Sequence, residues 1–84
     1  MLIHLYTTLG CNLCEEAHSL LVQHQQTTGA NFEIVLVEIS DSEDLMEAYG
    51  IRIPVLKLVS NDLELGWPFN STELGHFLGL KRLD

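Results

Sequence analysis

The chain has 84 residues, 46% hydrophobic and 19% charged, a composition that supports one modest packed core without a metal or several disulfides. Four Lys and Arg against 12 Asp and Glu give a formal charge of −8 with no basic run, which argues against nucleic acid, whose binding rests on cations at phosphates, and against an anionic membrane surface. No stretch approaches the ~20 apolar residues of a membrane span, and Met1-Leu2-Ile3-His4-Leu5-Tyr6 lacks the basic start and long apolar run of a secretion signal. Two cysteines without such a signal point to a reducing compartment, so the expected location is the cytoplasm. The expected organisation is one domain over residues 1–84, with no linker and no internal repeat.

Leu2–Thr7 reads as a strand: a short apolar run with the β-formers Ile3, Tyr6 and Thr7, ended by Gly10. From Cys11 to about Thr28, Leu13, Ala17, Leu20, Leu21 and His24 recur at helical spacing. Glu15 and Glu16 sit in the first turn and Gly29 is the stop, which predicts a helix. Asn31–Ile39 is nearly continuous in Ile, Val and Leu, as in a strand covered on both faces and paired in parallel. Asp41 or Ser42 can cap a second helix with Leu45, Met46 and Tyr49 as apolar positions and Gly50 as its stop. Pro54 opens a strand at Val55–Val59, the Ser60-Asn61-Asp62 turn follows, and Leu63–Leu65 completes a hairpin. A last helix runs from Ser71 to about Leu78, with Asn70 and Glu73 in capping-box spacing and Phe69 set to staple against Leu74. The order β-α-β-α-β-β-α predicts an α/β fold, a four-stranded mixed sheet with helices on both faces.

The chemistry concentrates at Gly10-Cys11-Asn12-Leu13-Cys14, where the first strand meets the first helix. Two cysteines three residues apart at a helix start bring their sulfurs to one side, within reach of a bond. The first lies beside the unsatisfied N–H groups and positive end of the helix, which lowers a thiol pKa from its free value of ~8.5. Cys11 is therefore the candidate nucleophile and Cys14 the candidate resolving thiol. Glu15 and Glu16 oppose the thiolate, and no Lys or Arg precedes Arg52. The expected depression is moderate, since the dipole supplies ~0.3–2 kcal/mol. The other reading of the pair is a metal site in which His18, four residues beyond Cys14, joins them on one helical face. Tetrahedral zinc needs four ligands, and His4, His24 and His76 show no matching spacing. No metal is expected, and His18 reads more simply as a solvent-facing helix residue.

These residues resemble a known superfamily. Cys11-x-x-Cys14 after a first strand, a βαβ unit, and Tyr49-Gly50-Ile51-Arg52-Ile53-Pro54-Val55 are similar to thioredoxins and glutaredoxins. Gly10–Glu15, Tyr49–Val55 and Leu65–Phe69 resemble, over almost the whole chain, a group of small bacterial glutaredoxin-like proteins. The resemblance implies a thioredoxin-like fold and thiol–disulfide exchange. It also implies a cis Pro54 packed beside the cysteines, with the backbone of Ile53 free to pair with an extended substrate. Several positions depart from the typical glutaredoxin. Leu13 stands where an aromatic residue flanks the nucleophile, and Thr7, Thr8 and Leu9 stand where a lysine is expected. Gly66-Trp67-Pro68-Phe69-Asn70 replaces the Gly-Gly turn and acidic residue that grip glutathione, and the Gly50–Pro54 stretch is one residue shorter than thioredoxin's.

The function expected is reduction of protein or small-molecule disulfides, with a cellular thiol system as reductant and no organic cofactor. The alternatives are a glutathione-dependent glutaredoxin, with glutathione as co-substrate, and an adaptor domain without redox turnover. Leu13, Arg52, Ile53, Pro54 and Trp67 are the candidate substrate-binding residues. Arg52 either draws an anionic substrate or supports the thiolate, or is simply solvated. Trp67 and Phe69 are each either an apolar wall of the site or part of the core.

Overall fold

A computed structural model describes residues 1–79; residues 80–84, which the one-domain reading includes, lie outside the described residues. Leu2–Thr7 forms β1, Asn12–Thr28 α1, Glu33–Glu38 β2, Glu43–Tyr49 α2, Val55–Leu58 β3, Glu64–Gly66 β4 and Ser71–Leu78 α3. The sheet order is β2-β1-β3-β4. β1 runs parallel to β2, with Leu5 opposite Leu36 and Thr7 opposite Glu38. It runs antiparallel to β3, with Leu5 opposite Leu56, and β3 and β4 form the hairpin. A parallel pair needs a crossover, and α1 supplies it. This is the α/β arrangement expected from the order of elements, and it is the thioredoxin-like fold that the resemblance implied.

Strand alternation divides the core between the two faces of the sheet. Ile3, Leu5, Leu56 and Leu58 point to one face, where Ala17 and Leu21 of α1 and Leu74 and Leu78 of α3 cover them. Tyr6 and Val55 point to the other face and meet Tyr49 of α2 and Ile39. α1 ends at Gly29, whose φ of 70° is the left-handed cap conformation. α3 begins with the full capping box: Glu73 N–H donates to Asn70 Oδ1 at 2.8 Å, and Asn70 N–H donates to Glu73 Oε1 at 3.0 Å. Phe69 and Leu74 are both buried in the larger cluster, as a staple requires.

The element boundaries differ from expectation where side chains compete for the backbone. Cys11 is the N-cap of α1 and not its first residue. β2 is shorter than Asn31–Ile39 at both ends: Gln25 Nε2 donates to the Phe32 carbonyl at 2.6 Å, so Phe32 enters the core from the approach to the strand. At the other end Ile39–Asp41 forms a single 3₁₀ turn, with the Glu38 carboxylate accepting Ser40 N–H at 3.1 Å. Because Asp41 lies in that turn, Ser42 caps α2. Met46 is exposed rather than part of the apolar face. Gly50 does not turn left-handed; it keeps φ −50° and ψ −39°, and a Cβ there would stand 2.5 Å from the Met46 carbonyl oxygen. β3 stops before Val59, and β4 is displaced by one residue to Glu64–Gly66. Leu63 is left outside β4, its N–H donating to Asn61 Oδ1 at 3.1 Å.

Candidate active site

The site begins where β1 runs out. Gly10 has φ +76°, and a Cβ there would meet nothing within 4 Å, so the left-handed backbone, not lack of room, calls for glycine. The turn delivers Cys11 as the cap of a 17-residue helix, in extended conformation at φ −92° and ψ 103°. Its Sγ accepts the backbone N–H of Cys14 at 3.1 Å. Cys11 and Cys14 are joined as a disulfide, with their Cα atoms 5.2 Å apart. Cys14 is 3% exposed and Cys11 half-buried, so the outer sulfur is the one a partner can reach. A hydrogen bond to the sulfur and the helix end both favour its thiolate form.

Negative charge surrounds that sulfur. A cavity of about 340 Å³ beside Cys11 is bounded by Thr8, Leu9, Glu15, Leu36 and Glu38. Hydrogen bonds from Thr8 and then Ser40 hold the Glu38 carboxyl below its ordinary range. Sequence reasoning misses Glu38, because only the parallel register sets it opposite Thr7 at the mouth of the site. A second cavity, of about 320 Å³, opens onto Cys14 and is lined by His18, Glu15, Leu5, Thr7 and Leu36 among others. His18 is half-buried there and does not simply face solvent.

The candidate substrate-binding residues divide. Leu13, between the cysteines, is 47% exposed, and Leu9 before them is 90% exposed. Pro54 is fully buried and Ile53 packs on the smaller core, both at the end of β3 that pairs with the end of β1 leading to Cys11. The Ile53–Pro54 peptide is cis, as the resemblance implied; Trp67–Pro68 is cis as well, which no feature of the sequence signals. The Ile53 N–H is committed to the Tyr49 carbonyl at 3.1 Å, so of its two backbone groups only the carbonyl makes no such bond among the described residues. Trp67 packs against the larger core, edge-on to Phe69 at 5.0 Å, and its outer side lines a shallow groove along α1 with Asn12, Glu15 and Glu16.

Arg52 lines neither cavity at the cysteines. Its Nη2 donates to Glu64 Oε1 at 2.7 Å, and its guanidinium lies 5.2 Å from the centre of the Tyr49 ring. Tyr49 in turn donates its hydroxyl to Glu64 Oε2 at 2.6 Å and stacks on Tyr6 at 4.1 Å. Burial, then the Glu64 carboxylate, pushes the Tyr49 phenol well above its ordinary value of 10.0. The Tyr49 hydroxyl, then Arg52, holds Glu64 below 4.5. Among the described residues no group of three or more His, Cys, Asp or Glu converges to hold a metal ion. No described helix is long and apolar enough to cross a membrane.

Residues 2–79 match the family model described as Glutaredoxin-like domain (DUF836). The chain belongs to this glutaredoxin-like family. Among solved structures it is similar to protein XcR50 from X. campestris, at 31% identity and a TM-score of 0.72 over 95% of this chain and 99% of that one. It is also similar to protein Ne2328 from Nitrosomonas europaea, at 32% identity and a TM-score of 0.70 over 89% and 87% of the two chains. Thioredoxin 1 from Thermosipho africanus is similar at 10% identity and a TM-score of 0.52, over 95% and 97%, a likeness of fold alone. The curated proteins contain no match.

Proposed function

We propose that this glutaredoxin-like domain is a thiol–disulfide oxidoreductase whose reduced Cys11 attacks disulfides. The observation that carries the reading is the asymmetry of the pair: a reachable sulfur at the cap of α1, hydrogen-bonded by Cys14 N–H, bonded to a second sulfur that is 3% exposed. In the reduced protein the Cys11 thiolate attacks one sulfur of a substrate disulfide. The substrate S–S bond breaks, one half leaves as a thiolate, and the other remains in a mixed disulfide on Cys11. The Cys14 thiol then loses its proton and attacks Cys11 Sγ, closing the Cys11–Cys14 bond and releasing the second half as a thiolate. The substrate gains two electrons and the cysteine pair loses two, which a cellular dithiol or pair of thiols restores. No metal or organic cofactor enters this scheme.

Exposed Leu9 and Leu13 beside the nucleophile suit an apolar stretch of a protein partner. The Ile53 carbonyl is the proposed backbone contact. The carboxylates of Glu15 and Glu38 at Cys11 work against glutathione, whose own carboxylates they repel. A cytoplasmic location belongs to the same proposal, because a pair kept reduced is the attacking form.

Trapping with Cys14→Ser tests the reading. The variant leaves the mixed disulfide unresolved, and the expected result is a protein partner held on Cys11. Glutathione held there instead makes the chain a glutathione-dependent enzyme, and failure of Cys11 to react with any disulfide makes it an adaptor. The rate of Cys11 alkylation against pH checks the same chemistry: a midpoint below the free-thiol value of ~8.5 is expected.

A further inference from the structure

Resolution sets a chemical problem that the first attack does not. Cys14 is 3% exposed, and a thiol in apolar surroundings resists ionising. The backbone N–H of Cys14 is spent on Cys11 Sγ, so the helix start assists the outer sulfur. The buried thiol needs an acceptor for its proton before it can attack.

We propose that His18, which shares a cavity with Cys14, accepts that proton and so acts as the catalytic base of the resolving step. The proposal rests on the thiol–disulfide exchange argued above. The cavity, about 320 Å³, is walled by Leu5 and Thr7 of β1, Leu36 of β2, and Cys14, Glu15 and His18 of α1. Four residues apart on one helix, Cys14 and His18 have neighbouring side chains, with Cβ atoms roughly 5–6 Å apart. The cavity they share is large enough to hold a bridging water.

The strands contribute no titratable group to this wall, so the choice lies within α1. A carboxylate with an ordinary pKa of ~4.3 is a weak base towards a thiol. An imidazole, ordinarily ~6.5, takes up and returns protons near neutral pH. The proton passes from Cys14 Sγ to the imidazole as the Cys14 sulfur bonds to Cys11 Sγ. The bond from Cys11 to the substrate half breaks, its electron pair leaves with the substrate thiolate, and the imidazolium returns the proton to that thiolate or to water.

Dipyridyl disulfide reads both steps on the full reduced chain. The first equivalent of thiopyridone released reports attack by Cys11, and the second reports resolution by Cys14. His18→Ala should leave the first release at the wild-type rate and slow the second by about 100-fold at neutral pH. Added imidazole should restore the second rate in proportion to its concentration. The bend in the wild-type second-step pH profile, in the range where histidine titrates, should vanish in the variant. His18→Gln, which keeps side-chain volume, should behave the same way without added imidazole and guards against a folding defect in the alanine variant.

A second release at the wild-type rate with an unchanged profile in both variants overturns the proposal. So does a bend that survives His18→Gln and disappears in Glu15→Gln, which would make the carboxylate the base. Absence of any thiopyridone release from the reduced wild-type chain overturns the exchange reading, and this proposal with it.

Discussion

The two faces of the sheet are held by different physics. Under α1 and α3 the buried cluster is apolar: Ile3, Leu5, Ala17, Leu21, Leu56 and Leu74 are fully excluded from water. Under α2 the buried cluster is smaller, Tyr6, Ile39, Tyr49 and Val55, and directional contacts take over. Tyr6 stacks on Tyr49, Tyr49 donates to Glu64, and Arg52 closes the set on the other Glu64 oxygen. A 17-residue helix offers enough apolar surface to be held by burial alone, whereas a seven-residue helix does not. The polar set also does something burial cannot. It ties α2 to β4 across the segment Tyr49–Pro54, which lies at the same end of the sheet as Cys11. The apolar face supplies stability, and the polar face supplies orientation next to the site.

Truncation on the apolar face should have the largest effect. Leu21→Ala should cost about 2–5 kcal/mol, read as a lower urea midpoint at constant m-value. Tyr49→Phe keeps the stacked ring and removes only the hydroxyl, so it should cost about 1 kcal/mol in the same measurement. A cost as large as that of Leu21→Ala would erase the contrast between the faces.

The pH dependence sharpens the comparison. Glu64 is held below 4.5 when folded, so its contribution is present above that value and is lost as pH falls through the folded one. Tyr49 titrates above 10.0 when folded, so its contribution is complete below 10.0 and drains as pH rises further. Tyr49→Phe should therefore flatten both the acid and the alkaline limb of stability against pH, while Leu21→Ala should shift the whole curve down without changing its slope. The smallest effect belongs to Arg52→Ala. Its pair with Glu64 is partly solvated, with the Arg52 side chain 48% exposed, so about 0.2–1 kcal/mol is expected, shrinking in high salt. An insensitivity to salt would mean that Arg52 acts through its packing on the Tyr49 ring.

What is legible from the chain follows from local signals. The cysteine spacing, the turn at Gly10, the cap at Asn70 with Glu73, and Gly29 as a stop each act within a few residues, and each appears where expected. The departures are side chains diverted by distant partners. Met46 sits at helical spacing with Leu45 and Tyr49, yet it is exposed while Leu45 and Tyr49 pack in the smaller cluster with Tyr6 and Val55 of the sheet. Arg52 reads as a free cation near the proline until Glu64, 12 residues away, is brought against it. His18 reads as a surface residue until Leu36 of the neighbouring strand closes a cavity over Cys14.

The order of elements, the parallel and hairpin pairings and the pairing of the two sulfurs are written in the chain, because periodicity, capping and a three-residue spacing are properties of adjacent residues. The register that sets Glu38 opposite Thr7, the cavity shared by Cys14 and His18, and the capture of Arg52 by Glu64 are decided only by the fold. Each needs residues of separate elements, β1 with β2, α1 with Leu36 of β2, and Arg52 with β4, and a contact of that kind exists only once the sheet has brought those elements together.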